Sequence, residues 1–109
     1  MEMNEYQAHA ARTANRSGTL SIDLAQGALG LCGESGEAAD LVKKFAYHGH
    51  ELPTEKLIRE LGDILWYVAE MASVLGVGLE FVASANIVKL SKRYPEGFSS
   101  ERSVNREEK

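Results

Sequence analysis

A single cysteine, Cys32, occurs in the 109 residues, which excludes an internal disulfide framework and suits a reducing compartment. Cys32 lies in a helical apolar stretch, where a thiol reads as packing rather than as a nucleophile. No apolar run approaches the ~20 residues of a membrane span, and no N-terminal signal peptide is visible. The expectation is a cytoplasmic protein with no membrane attachment. Basic runs are missing too: at a formal net charge of −4, nothing tracks a phosphate backbone, so a nucleic-acid polymer is not an expected partner. There is no EF-hand loop pattern, which argues against calcium storage. His9, His48 and His50 have no close pairing with Cys32, which argues against zinc. His48 and His50 read as polar loop residues, with metal or substrate contact the alternative.

What the chain does contain is helical periodicity. Its length fits one domain, 1–109, and its 44% hydrophobic residues suffice for a small core. A first helix is predicted from Asn4, as cap, to Asn15, broken by Ser17-Gly18. A second runs from about Leu20 to Tyr47 and stops at His48-Gly49-His50. Pro53-Thr54 opens a third, with Thr54 able to cap, which reaches about Leu75 and ends at Gly76-Val77-Gly78. The fourth covers Leu79 to about Arg93, closed by Tyr94-Pro95. The polar tail, 96–109, has no period and is expected to carry little regular structure. The fold class is all-α, a four-helix, bundle-like protomer.

Two acidic pairs dominate these helices: Glu34-Ser35-Gly36-Glu37 and Glu60-Leu61-Gly62-Asp63. Residues three apart share a helix face. At ~100° per residue, Glu34 and Glu37 fall on the stripe of Gly27, Gly30, Ala38, Leu41 and Phe45, the one a soluble helix should bury. Glu60 and Asp63 border an apolar arc of Leu57, Leu61, Ile64, Val68, Ala72 and Leu75. Four carboxylates aimed at a helix interface repel and are poorly solvated. A hard divalent ion is the natural compensator, and Mg²⁺ or Mn²⁺ prefers such oxygen ligands. The same ion would bring an acidic site and a phosphorylated substrate together.

Glycines at 27, 30, 33 and 36 cost the second helix roughly 3–4 kcal/mol against alanine, so something must offset them. Missing side chains admit a neighbouring helix or a ligand. Gly27 and Gly30 fit either reading, whereas Gly33 and Gly36, beside the glutamates, read as packing in service of the acidic site.

The stretch from Gly30 to Leu41, GLCGESGEAADL, followed by Glu60 to Tyr67, ELGDILWY, resembles the MazG-like nucleoside triphosphate pyrophosphohydrolases, whose hallmark is ExxE followed by ExxD. Asn86 to Leu90, Lys92 to Pro95 and Gly97-Phe98 resemble the ends of short bacterial and phage-type members, so the similarity spans about Glu5 to Arg106. The resemblance implies an all-α fold, assembled as a homodimer or homotetramer, that hydrolyses (deoxy)nucleoside triphosphates to monophosphate and pyrophosphate with Mg²⁺. It places Glu34, Glu37, Glu60 and Asp63 on metal as the catalytic acids, and Tyr67 beside the nucleotide. Asn86, Lys89 and Arg93 share a face of the last helix and offer donors suited to phosphate and sugar oxygens. For Lys89 and Arg93 the other reading is a solvated basic helix end. Lys43 and Lys44 read as local partners of Asp40. Trp66 is expected to face away from the acids, as a core or interface residue.

Apolar residues of the third helix wrap further than one partner helix covers, which independently predicts self-association. Two rivals stand beside the hydrolase: a helical protein-interaction module using its acids on basic partners, and a nucleotide-binding regulator without turnover. The interaction module would need exposed acids.

Overall fold

A computed structural model describes residues 1–106. Five helices and no strand occur among them: α1 Met3–Ala11, α2 Leu20–Tyr47, α3 Thr54–Val74, α4 Leu79–Arg93 and α5 Ser100–Val104. No single helix among the described residues is long and apolar enough to cross a membrane. The chain divides into two compact units, Met1–Leu79 and Glu80 onward.

Within the first unit, α2 and α3 lie against each other and α1 packs on α3. The α2–α3 approach depends on two glycines. A Cβ on Gly27 would lie 2.5 Å from Met71 Cγ, and one on Gly30 would overlap the Tyr67 ring. These two are packing glycines, and the close approach they permit offsets their poor helix propensity. Gly33 and Gly36 behave otherwise: an added Cβ meets nothing within 4 Å. At ~100° per residue these two lie about 120° and 180° round α2 from Gly27, off the face that meets α3, so the expected packing role is corrected to open positions beside the acids.

The core sits between α1 and α3 rather than along the whole α3 arc. Ala10, Ala69, Ala72 and Leu79 are buried, with Tyr6, Val68 and Trp66 partly buried around them. Leu61 and Leu75, assigned by periodicity to the buried arc, are 55% and 60% exposed. Polar groups tie this unit together. Gln7 donates to Ser73 Oγ and the Val77 carbonyl and accepts from Leu79 N at 2.7 Å, linking α1 to the turn after α3. That turn is a Schellman end, with Val77 N donating to the Ala72 carbonyl and Gly76 at φ +76°. Asp23 of α2 reaches back to accept from Ser17 N, Ser17 Oγ and Gly18 N, which fixes the α1–α2 connection.

Sequence boundaries hold for α2 and α4. Helix α1 starts from Glu2, in a capping box with Glu5, rather than from Asn4, and it ends before Thr13. Pro53, not Thr54, occupies the position before α3. In the second unit the tail is not without structure. Ser99 Oγ accepts from Arg102 N to start α5, and Arg102 Nε donates to the Arg93 carbonyl. So short a helix is set by its cap and that link, with no apolar period to announce it. The tail's predicted continuation over 107–109 lies outside the described residues.

Candidate metal and nucleotide site

Glu34 and Glu37 project from α2 and Glu60 from α3 toward one another. One carboxylate oxygen from each lies within 4.8 Å of the others. Glu34 Oε2 and Glu60 Oε2 are buried without any hydrogen-bond partner. Glu37 is exposed. The adjacent Glu34 carboxyl, with which a proton can be shared, pushes Glu60 up to about 7, and lost hydration and Glu37 add to it. The ion pairs Arg16–Glu70, Lys43–Asp40 and Lys44–Asp40 leave these three glutamates aside. Clustered oxygens of one charge, two of them lacking a donor, form the ligand set a hard divalent cation takes. The residues fit such an ion.

Asp63 is not within this group. Three residues beyond Glu60 the side chain has turned about 60° around α3 and risen about 4.5 Å, toward the α1 side. There it is exposed, and its charge, after burial, helps raise the Tyr6 hydroxyl above its ordinary value. It still shares a hollow of about 380 Å³ with Glu34, Thr13, Trp66 and Tyr67. Trp66 keeps its expected place against the core but borders the acids instead of facing away from them. Its indole Nε1 donates to the Ala10 carbonyl and Thr13 Oγ1, which holds the ring on α1 and beside the acids. Tyr67 meets the Trp66 ring edge-on at 5.0 Å.

On the other flank of the acids lies a groove of about 490 Å³, bordered by Gly33, Gly36, Glu37, Glu60, Lys56 and Arg59. The two cations went unnoticed in the sequence. Their signal was there, since Lys56, Arg59 and Glu60 stand at i, i+3 and i+4 and so share a helix face. Lys43 and Lys44 pair with Asp40 at 3.3 and 2.9 Å, as their spacing predicted. Asn86, Lys89 and Arg93 lie on α4, in the second unit, with Asn86 and Lys89 exposed.

A sequence model of the MazG nucleotide pyrophosphohydrolase domain matches residues 10–98, and the chain belongs to that family. It is 37% identical to the gene 37 protein of Mycobacterium phage L5 over 105 residues, covering 89% of this chain and 92% of that protein. It is also 37% identical to an uncharacterized protein, YvdC, of Bacillus subtilis (strain 168) over 71 residues, covering 56% of this chain and 66% of YvdC. No solved structure matches significantly.

Proposed function

We propose that this protein hydrolyses (deoxy)nucleoside triphosphates to nucleoside monophosphate and pyrophosphate, using Mg²⁺, or Mn²⁺ in its place, held by Glu34, Glu37, Glu60 and Asp63. The observation that carries the reading is the pair of buried, partnerless oxygens on Glu34 and Glu60, beside Glu37, in a chain of this family. When bound, the ion supplies neutralisation of the triphosphate and a more acidic water.

The chain's own groups do the rest. Glu34, Glu37 and Glu60 would hold the ion at the opening of the cleft, which sets where the reacting phosphate would sit, and Asp63 extends the anionic wall toward Tyr67. One of these carboxylates takes the proton of the attacking water. The Tyr67 ring, seated on Gly30, supports the nucleoside, and Asn86, Lys89 and Arg93 of α4 are donors suited to phosphate and sugar oxygens.

The active form is a homodimer or homotetramer. Large apolar side chains remain exposed along α3 and α4, including Ile58 at 61%, Leu65 at 42%, Phe81 at 64% and Ile87 at 61%. A second protomer would remove them from water. A panel of (deoxy)nucleoside triphosphates with Mg²⁺ or Mn²⁺, followed by product separation, tests the activity. Monophosphate with pyrophosphate is expected, whereas diphosphate with inorganic phosphate would refute the assignment. Light scattering tests the assembly, and a fully active monomer would refute it.

A further inference from the structure

We infer that Thr13, just past the end of α1, is a positioning residue for the nucleoside: its hydroxyl fixes the Trp66 indole, and the Trp66 ring in turn sets the Tyr67 ring. This assignment rests on the hydrolase reading above, in which Tyr67 supports the nucleoside. Thr13 acts through the two rings and needs no contact with the reacting atoms.

Contacts from three helices run through this residue. Thr13 follows α1, Trp66 and Tyr67 belong to α3, and Gly30, against which the Tyr67 ring sits, belongs to α2. Thr13 Oγ1 donates to the Ala10 carbonyl at 3.0 Å and accepts from Trp66 Nε1 at 2.9 Å. With its proton committed, the hydroxyl has only lone pairs to offer the indole. The Ala10 carbonyl lies 3.1 Å from the same indole nitrogen, but it also receives Thr13 N at 3.1 Å and the Thr13 hydroxyl. An oxygen with two lone pairs serves three donors poorly, which makes Thr13 Oγ1 the better acceptor. Trp66 then meets the Tyr67 ring edge-on at 5.0 Å, with the planes 85° apart, a contact that is weakened when either ring turns.

Burial of the indole nitrogen does not require this hydroxyl. Without it the Ala10 carbonyl loses one competing donor and can satisfy the indole alone. The second acceptor adds direction instead: an N–H held at one point leaves the ring free to pivot, and held at two it does not. That direction matters because of where the rings stand. Thr13, Trp66 and Tyr67 line the hollow that contains Glu34 and Asp63, and the same three line a second hollow, of about 270 Å³, beside the α1–α2 connection. They partition the two hollows, and a nucleotide with its phosphates at the acids meets that partition with its nucleoside. Rings locked by hydrogen bonds behind them hold a substrate in fewer orientations.

Trp66 is the single tryptophan of the chain, so its emission reports this one ring. The test compares the full-length protein with Thr13→Val and Thr13→Ala, which remove the hydroxyl with and without keeping its shape, and with Thr13→Ser, which retains it. Circular dichroism checks that each variant folds. Time-resolved anisotropy should show faster local motion of Trp66 in the valine and alanine variants and wild-type motion in Thr13→Ser. By calorimetry with Mg²⁺ present, nucleoside monophosphate affinity should fall about three- to tenfold without the hydroxyl and return with serine. Affinity for inorganic pyrophosphate, which has no nucleoside, should stay unchanged. For triphosphates KM should rise by a similar factor with kcat near its wild-type value. In a Trp66→Phe background, which lacks the indole N–H, Thr13→Val should have no further effect on monophosphate affinity.

Monophosphate affinity unchanged without the hydroxyl, a loss that serine does not restore, a loss shared equally by pyrophosphate, or an undiminished loss in the Trp66→Phe background would overturn the assignment. Absence of monophosphate binding in the wild type would overturn it as well. Monophosphate binding that depends on Thr13 in the expected pattern, without any triphosphate turnover, would support the positioning role and remove only the hydrolase reading.

Discussion

Glu60 and Glu70 lie on the same helix in opposite surroundings. Glu70 is 8% exposed and accepts two hydrogen bonds of 2.7 Å from the Arg16 guanidinium, Nε to one oxygen and a terminal nitrogen to the other. Glu60 buries an oxygen with no donor and faces Glu34 and Glu37. The C-terminal half of α3 is thus internally satisfied: it anchors α1 and, through Arg16, the connection to α2. The N-terminal half instead carries a cluster of like-charged groups with no donor on Glu60 Oε2. Glu70 is matched within the fold by Arg16, whereas Glu60 has acids beside it.

The sharpest way to break this contrast is to neutralise each half in turn. Glu37→Gln or Glu60→Gln should lower kcat by about a hundredfold or more, because each removes a charged oxygen from the cation site. Melting temperature measured without divalent ions should hold or rise, since repulsion is relieved. Full activity in either variant would erase the distinction.

Glu70→Ala should act the other way. Loss of this pair leaves Arg16 unmatched, and because that guanidinium is 39% exposed, a destabilisation of about 2–3 kcal/mol is expected, less than for a fully buried pair. Denaturant unfolding reads this, with activity per folded molecule retained.

A smaller effect separates the glycines of α2. Gly30→Ala should destabilise by about 1–3 kcal/mol by displacing the Tyr67 ring. Gly36→Ala, with open space around it, should stabilise the metal-free protein by up to about 1 kcal/mol through helix propensity. Equal signs for the two would mean that the two positions do not differ in what surrounds them.

The smallest effect is a pH signature. Glu60 binds its proton more tightly folded than unfolded, between the ordinary 4.5 and about 7. The native state therefore holds the extra proton in that window, and metal-free stability should fall as pH rises through it. Asp23 has the opposite sign. Hydrogen bonds from Ser17 and Gly18 hold it below its ordinary 3.8, so its contribution is present above that value and lost as pH falls further. Saturating Mg²⁺ should flatten the upper slope and leave the lower one. Melting scans from pH 3 to 8, with and without the ion, would show both limbs.

Much of this was legible from residue order. Breakers at Ser17-Gly18, His48-Gly49-His50, Gly76-Val77-Gly78 and Tyr94-Pro95 bound α2 and α4 as observed, because turn chemistry is local. The acidic pairs were legible too, since three-residue spacing sets a common face on any helix. Periodicity gives a side chain's azimuth about its own axis and says nothing of where the neighbouring axis crosses. That α3 lies on the Gly27 and Gly30 face of α2 makes these glycines packed and leaves Gly33 and Gly36, turned off that face, open. It also gathers Glu34, Glu37 and Glu60 while turning Asp63 toward α1, and it puts Lys56 and Arg59 on the cleft. Trp66 went to α1 because its indole N–H found the Ala10 carbonyl and Thr13 there, partners distant in sequence that only the tertiary packing of α1 on α3 could supply.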